Sequence, residues 1–110
     1  MTRWYLITTD ETVTALPSPK PSLEEMQRAV GGYVEHVTLD GRTGLWVNEE
    51  GKLTGLPVNS LATRVWEFYY GPTDVIVGPA LLEVQGIKPT KRAGVVLAAL
   101  ARYMRQPSVA

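Results

Sequence analysis

Three prolines within five residues, Pro17-Ser18-Pro19-Lys20-Pro21, are followed at once by a fully punctuated helix, and this pairing constrains the chain more than anything else in it. Proline fixes φ and removes an amide donor, so residues 17–21 join neither a helix nor the middle of a sheet. Ser22-Leu23-Glu24-Glu25 is a capping box, in which the serine hydroxyl accepts from the Glu25 amide and the Glu25 carboxylate reaches back. Leu23, Met26, Ala29 and Val30 then recur at helical spacing, and Gly31-Gly32 supplies the left-handed stop. A helix with a start, one apolar face and a stop is thereby fixed early. The strand-like residues before it, Arg3 to Thr9 and Thr12 to Leu16, are too few to fold alone. Residues 17–21 therefore read as a connector inside one domain spanning 1–110.

Beyond that helix the period changes to two. Tyr33 to Leu39 and Thr43 to Asn48 flank an Asp40-Gly41 hairpin signal, with Leu45 and Val47 opposite in phase to Trp46. Glu49-Glu50-Gly51-Lys52 reads as a second tight turn, with Gly51 at a position needing positive φ, leading to a short strand over 53–56. Asn59 is suited to cap a helix whose stripe is Leu61, Ala62, Val65, Trp66 and Tyr69 and whose stop is Gly71-Pro72. Asp74 to Val77 reads as a strand interrupted at Gly78-Pro79 and continued by Leu81 to Val84. Pro89-Thr90 opens a last helix to about Arg105. The expected fold is α+β: a mainly antiparallel sheet in the order ββαβββαβα, with three helices packed on one face.

The 110 residues include no cysteine and one histidine. A disulfide framework and a thiolate nucleophile are thereby excluded, and the usual zinc constellations lack their ligands. No cofactor motif appears: neither Gly-x-Gly-x-x-Gly nor a P-loop occurs, and no Gly-x-Ser-x-Gly elbow. No apolar run approaches the roughly 20 residues that span a bilayer, and no signal-peptide core is visible, so a cytoplasmic protein without membrane contact is expected.

The formal net charge of zero conceals a split. Residues 1–83 carry all eleven acidic residues and six basic ones, net −5, whereas 84–110 carry five basic residues and no acid. In the last helix Ala93, Val96, Leu97 and Leu100 gather on one side, while Lys91, Arg92, Arg102 and Arg105 gather on the other. Residues 90–105 thus read as a basic amphipathic helix, a candidate face for an anion or an acidic partner. The plain alternative is a solvated face complementing the helix C-terminus, which accounts for Arg102 and Arg105 but not for Lys91 and Arg92.

Polar residues at unusual positions complete the candidates. Glu35 shares a strand face with Tyr33, Val37 and Leu39, so it lies at the sheet margin, pairs with a cation or opens into a cleft. His36 falls on the alternate face, without a carboxylate partner nearby in sequence. Phe68 and Tyr70 sit off the stripe of the second helix, where an exposed aromatic serves a partner or a second copy. A catalytic role would fall to Glu35, His36 and Asp74, and nothing in their spacing names a reaction.

Three stretches together carry a resemblance: Ala29 to Glu35; Asn48-Glu49-Glu50-Gly51-Lys52-Leu53 with Gly55-Leu56-Pro57-Val58-Asn59 and Ala62; and Gly71 to Gly78. Over roughly 20–85 the chain resembles the small-domain family catalogued as domain of unknown function 3846, found largely in bacteriophages, plasmids and integrated elements. The resemblance implies an accessory protein of a mobile element working in the host cytoplasm. It also implies that Glu35, Asn48, Glu49, Glu50, Asn59 and Asp74 are recurrent polar positions. Glu35, Asn48, Glu50, Asn59 and Asp74 are accordingly the candidate binding residues. The expected function is non-enzymatic binding of a host protein, with inhibition of a host protein or defence pathway. The alternative is a nucleotide-signal or nucleic-acid binder using Lys91, Arg92, Arg102 and Arg105. Self-association into a homo-oligomer is a further expectation.

Overall fold

In the stretch Ala80-Leu81-Leu82-Glu83-Val84 one phase is wholly apolar and the other begins with Leu81, so both faces of the strand carry apolar side chains that must be covered. A computed structural model, which describes residues 1–104, places it at the centre of the molecule. The strands are β1 (Thr2–Ile7), β2 (Val13–Ala15), β3 (Val34–Asp40), β4 (Thr43–Asn48) and β5 (Ala80–Gln85). The helices are α1 (Leu23–Val30), α2 (Ser60–Tyr70) and α3 (Lys91–Leu100), the last continuing as a 3₁₀ turn over Ala101–Tyr103. The sheet order is β2-β1-β5-β4-β3, and every neighbouring pair is antiparallel. The α+β class and the expected succession of elements are those observed, with one strand fewer.

The helices do not share one face. Ile7, Leu45, Leu82 and Val84 point toward α2 and α3, where they meet Leu61, Val65, Val96 and Leu100. Trp4 and Leu81 point the other way and pack with Met26 and Val30 of α1. The expectation of helices on a single face is thus corrected to α1 on one side and α2 with α3 on the other. The physical reason is β5, whose consecutive residues Leu81 and Leu82 point to opposite faces and are both fully buried.

The caps form as read. Ser22 and Glu25 complete the capping box, and Gly31 adopts the left-handed conformation at φ 81°. The Asn59 side chain accepts from the Ala62 amide and the Thr90 hydroxyl from the Ala93 amide. The proline connector is tied down by the Trp4 indole, which donates to the Pro19 carbonyl at 3.0 Å.

Four expectations change. Residues 53–56 form no strand: the Thr54 amide donates to Glu50 O and the Leu56 amide to Gly51 O, so local turns consume the donors a ladder needs. Gly51 has no positive φ; glycine is required there because a Cβ would lie 2.9 Å from Val77 Cγ2. Residues 74–77 contribute only the bridge Val77–Val58, and Gly78, at φ 73°, separates them from β5. The last α-helix stops at Leu100 rather than near Arg105, because Met104 turns extended and bridges to Val13. Arg105 lies outside the described residues.

Candidate functional site

The hairpin β3–β4 sets Glu35 opposite Val47 and Val34 opposite Asn48. The turn after β4 then folds back so that Glu49 and Lys52 stand beside the segment 74–77. Between them opens a depression of about 260 Å³, walled by Val37, Val47, Trp66 and Ile76. Glu35, Asn48, Glu49 and Asp74 also line it, together with Lys52. Residues separated by up to 42 positions, from Glu35 to Val77, thus reach one site, and three of the five candidate binding residues are among them.

Each of these side chains has an identifiable support. Lys52 donates from Nζ to Asp74 Oδ1, closing one side of the depression. Asp74 also accepts from the Val75 amide at 2.7 Å. The bond from Lys52, then that from the amide, hold the Asp74 carboxyl below its ordinary value. Trp66 is fixed by an indole bond to Thr73 Oγ1 at 2.9 Å and by the Tyr70 ring 4.5 Å away. Asn48 donates to Val30 O and accepts from the Glu50 amide, so its amide joins the end of α1 to the turn while one side borders the depression. Glu35 sits exposed on β3, the outer strand of the sheet, and also opens onto the depression, so of margin, cation pairing and cleft it takes the first and the last.

Two candidates are placed elsewhere. Asn59 is fully buried, and its amide donates to Ile7 O and Gly78 O, both at 2.9 Å, while its oxygen caps α2. With both amide protons engaged and no surface exposed, Asn59 is out of a ligand's reach; it joins β1 and α2 to the segment leading into β5. Glu50 serves through its backbone, with its carbonyl accepting from Thr54, and its exposed side chain is not part of the depression wall.

The basic set divides as well. Arg92 turns toward α2, where Nη2 donates to Phe68 O at 2.9 Å and the guanidinium lies 4.7 Å from the Tyr69 ring centre. It neutralises the carbonyl end of α2, so its place in a shared basic face is corrected to a structural one. Lys91 and Arg102 are exposed.

His36 lies on the α1 side of the sheet, away from Glu35 and Asp74, so the three do not converge. It does meet a carboxylate: Nε2 is 3.9 Å from Glu83 Oε1, which also accepts from the Trp46 indole at 3.0 Å. The lone charge within the apolar run of β5 was the available signal for Glu83. No sequence signal paired Lys52 with Asp74, and Asp40 read simply as a turn residue. Its carboxylate accepts from the Tyr69 and Thr90 hydroxyls and from the Arg42 amide, joining the β3–β4 turn to α2 and α3. Burial pushes this carboxyl up, but those hydrogen bonds prevail and hold it below its ordinary value. Tyr69 is pushed up to about 12 by burial and by its bond to Asp40.

A family model for a domain of unknown function, DUF3846, matches residues 1–88. The chain belongs to that family. The match begins at residue 1, so the family domain takes in β1 and β2 as well as the stretch that carried the resemblance. It ends before α3, which places the depression wholly inside the family domain and the basic helix outside it. No curated protein and no solved structure matches the chain. Among the described residues no group of three His, Cys, Asp or Glu side chains is placed to hold a metal ion. None of their helices is long and apolar enough to cross a membrane.

Proposed function

We propose that this chain is a non-catalytic accessory protein of a phage or other mobile element, acting by binding a host protein. The observation that carries the reading is the depression itself, where Glu35, Glu49 and Asp74 stand around an apolar floor of Val37, Val47 and Trp66. Such a surface suits a segment that inserts one or two apolar side chains and presents a lysine or arginine to the carboxylate rim. Lys52 already holds Asp74, which leaves Glu35 and Glu49 as the charges a partner meets first. Inhibition follows if the captured segment is one the host protein needs. Among the described residues the nucleic-acid alternative rests on Lys91 and Arg102 once Arg92 is engaged, a thin basis for tracking a phosphate backbone.

The test is affinity capture from a lysate of the bacterium that carries the element, using the parent and a Glu35→Lys/Glu49→Lys variant side by side. A stoichiometric partner held by the parent and lost by the variant supports the reading. Absence of any such partner, or equal recovery by both forms, overturns it.

A further inference from the structure

A second concave surface lies on α2 and α3, away from the acidic depression. Leu61 and Val65 form its floor with Val96 and Leu100, and the side chains of Phe68 and Val95 stand at its rim. The groove measures about 310 Å³. Phe68 is 43% exposed and Val95 56%, so the apolar surface is open to solvent rather than sealed. Among the described residues two charged ones border it, Arg64 from α2 and Arg102 from the 3₁₀ turn, and no carboxylate does. Neither arginine has an ion-pair partner among the described residues.

The groove is also built in advance. Arg92 ties the first turn of α3 to the last carbonyls of α2, and its guanidinium lies 5.5 Å from the Phe68 ring centre. The Asp40 carboxylate joins Tyr69 of α2 to Thr90 at the start of α3. A surface held this way loses little freedom when it is occupied.

The charge distribution decides between occupants. A second copy, packed symmetrically, would bring two arginine pairs together with no carboxylate from either groove to separate them. An acidic amphipathic helix would place its apolar stripe between Phe68 and Val95 and its flanking carboxylates within reach of Arg64 and Arg102. We propose that the groove between α2 and α3 is a docking site for an amphipathic helix of a protein partner that flanks its apolar stripe with carboxylates. The site is separate from the acidic depression and opposite to it in charge preference.

The test uses two synthetic helical peptides of about 14 residues, roughly four turns. Both carry leucines at i, i+4 and i+7, one flanked by glutamates and the other by lysines. The full-length protein is titrated with each and followed by backbone amide NMR. The glutamate peptide is expected to shift the signals of Phe68, Val95 and Tyr103 and to bind about tenfold tighter than the lysine peptide. Arg64→Glu/Arg102→Glu is expected to reverse that preference. Val95→Asp, at an exposed position, should weaken the glutamate peptide without altering the thermal melt, and Glu35→Lys should leave its binding unchanged. Equal affinity for the two peptides, no shift at the groove, or a dimer that buries Val95 in the absence of peptide would each overturn the proposal.

Discussion

Arg92 Nη2 lies 2.9 Å from the carbonyl oxygen of Phe68, so the start of α3 neutralises the end of α2. The helix C-terminus carries partial negative charge, and α2 has no basic residue of its own in its last turn. Arg92→Ala removes this contact and the guanidinium stacked on Tyr69. The expected loss is about 1 kcal/mol, read from urea denaturation. Arg92→Lys should recover only part of it, because an ammonium lacks the planar fork.

Asn59 is the polar centre of the α2 side. Asn59→Ala deletes the cap of α2 and leaves the Ile7 and Gly78 carbonyls without their donor. The expected destabilisation is about 3 kcal/mol. Asn59→Asp should be worse at neutral pH, since it keeps the cap but sets a carboxylate against two carbonyl oxygens. Thermal unfolding of the three proteins side by side gives the order.

The bond between Tyr69 and Asp40 predicts pH dependence at both extremes. The Tyr69 pKa rises from 10.0 to about 12 in the folded chain. Its contribution is therefore complete below pH 10 and lost as pH rises toward 12. Asp40 is held below its ordinary value, so its contribution is present above the unfolded carboxylate pKa and lost as pH falls through the lowered folded one. Tyr69→Phe should flatten the alkaline limb of a plot of urea midpoint against pH, and Asp40→Asn should flatten the acid limb.

Gly78 sits at φ 73°, and a Cβ there would lie 2.6 Å from Leu56 Cδ1. Gly78→Ala is expected to cost about 2 kcal/mol, from the left-handed backbone and the crowded leucine together. Gly41→Ala, at a position with open space around the added carbon, provides the contrast. It should leave the urea midpoint nearly unchanged.

Lys52 and Asp74 form an exposed ion pair, and such pairs contribute little to stability. Lys52→Ala should change stability by less than about 0.5 kcal/mol. It should, however, strengthen capture of the partner at the acidic depression, because the Asp74 carboxylate is released to the rim. A large fall in melting temperature would instead make the pair a structural clamp.

The elements with local causes were legible in the sequence. Ser22, Glu25, Gly31, Asn59 and Thr90 cap helices through neighbours a few residues away, and Asp40-Gly41 turns β3 into β4 by bonds of the same reach. The alternation of Leu45, Trp46 and Val47 likewise assigned each side chain a face. Tertiary structure decided what depends on partners distant along the chain. It put α1 on the opposite side from α2 and α3, curled 53–56 into turns, drew Arg92 out of the basic face and spent Asn59 on the core. It also gathered Glu35, Asn48, Glu49 and Asp74 around one depression. The reason is physical: capping, turn chemistry and periodicity act within a few residues, whereas ion pairs and the choice of a buried face depend on which distant segments packing brings together.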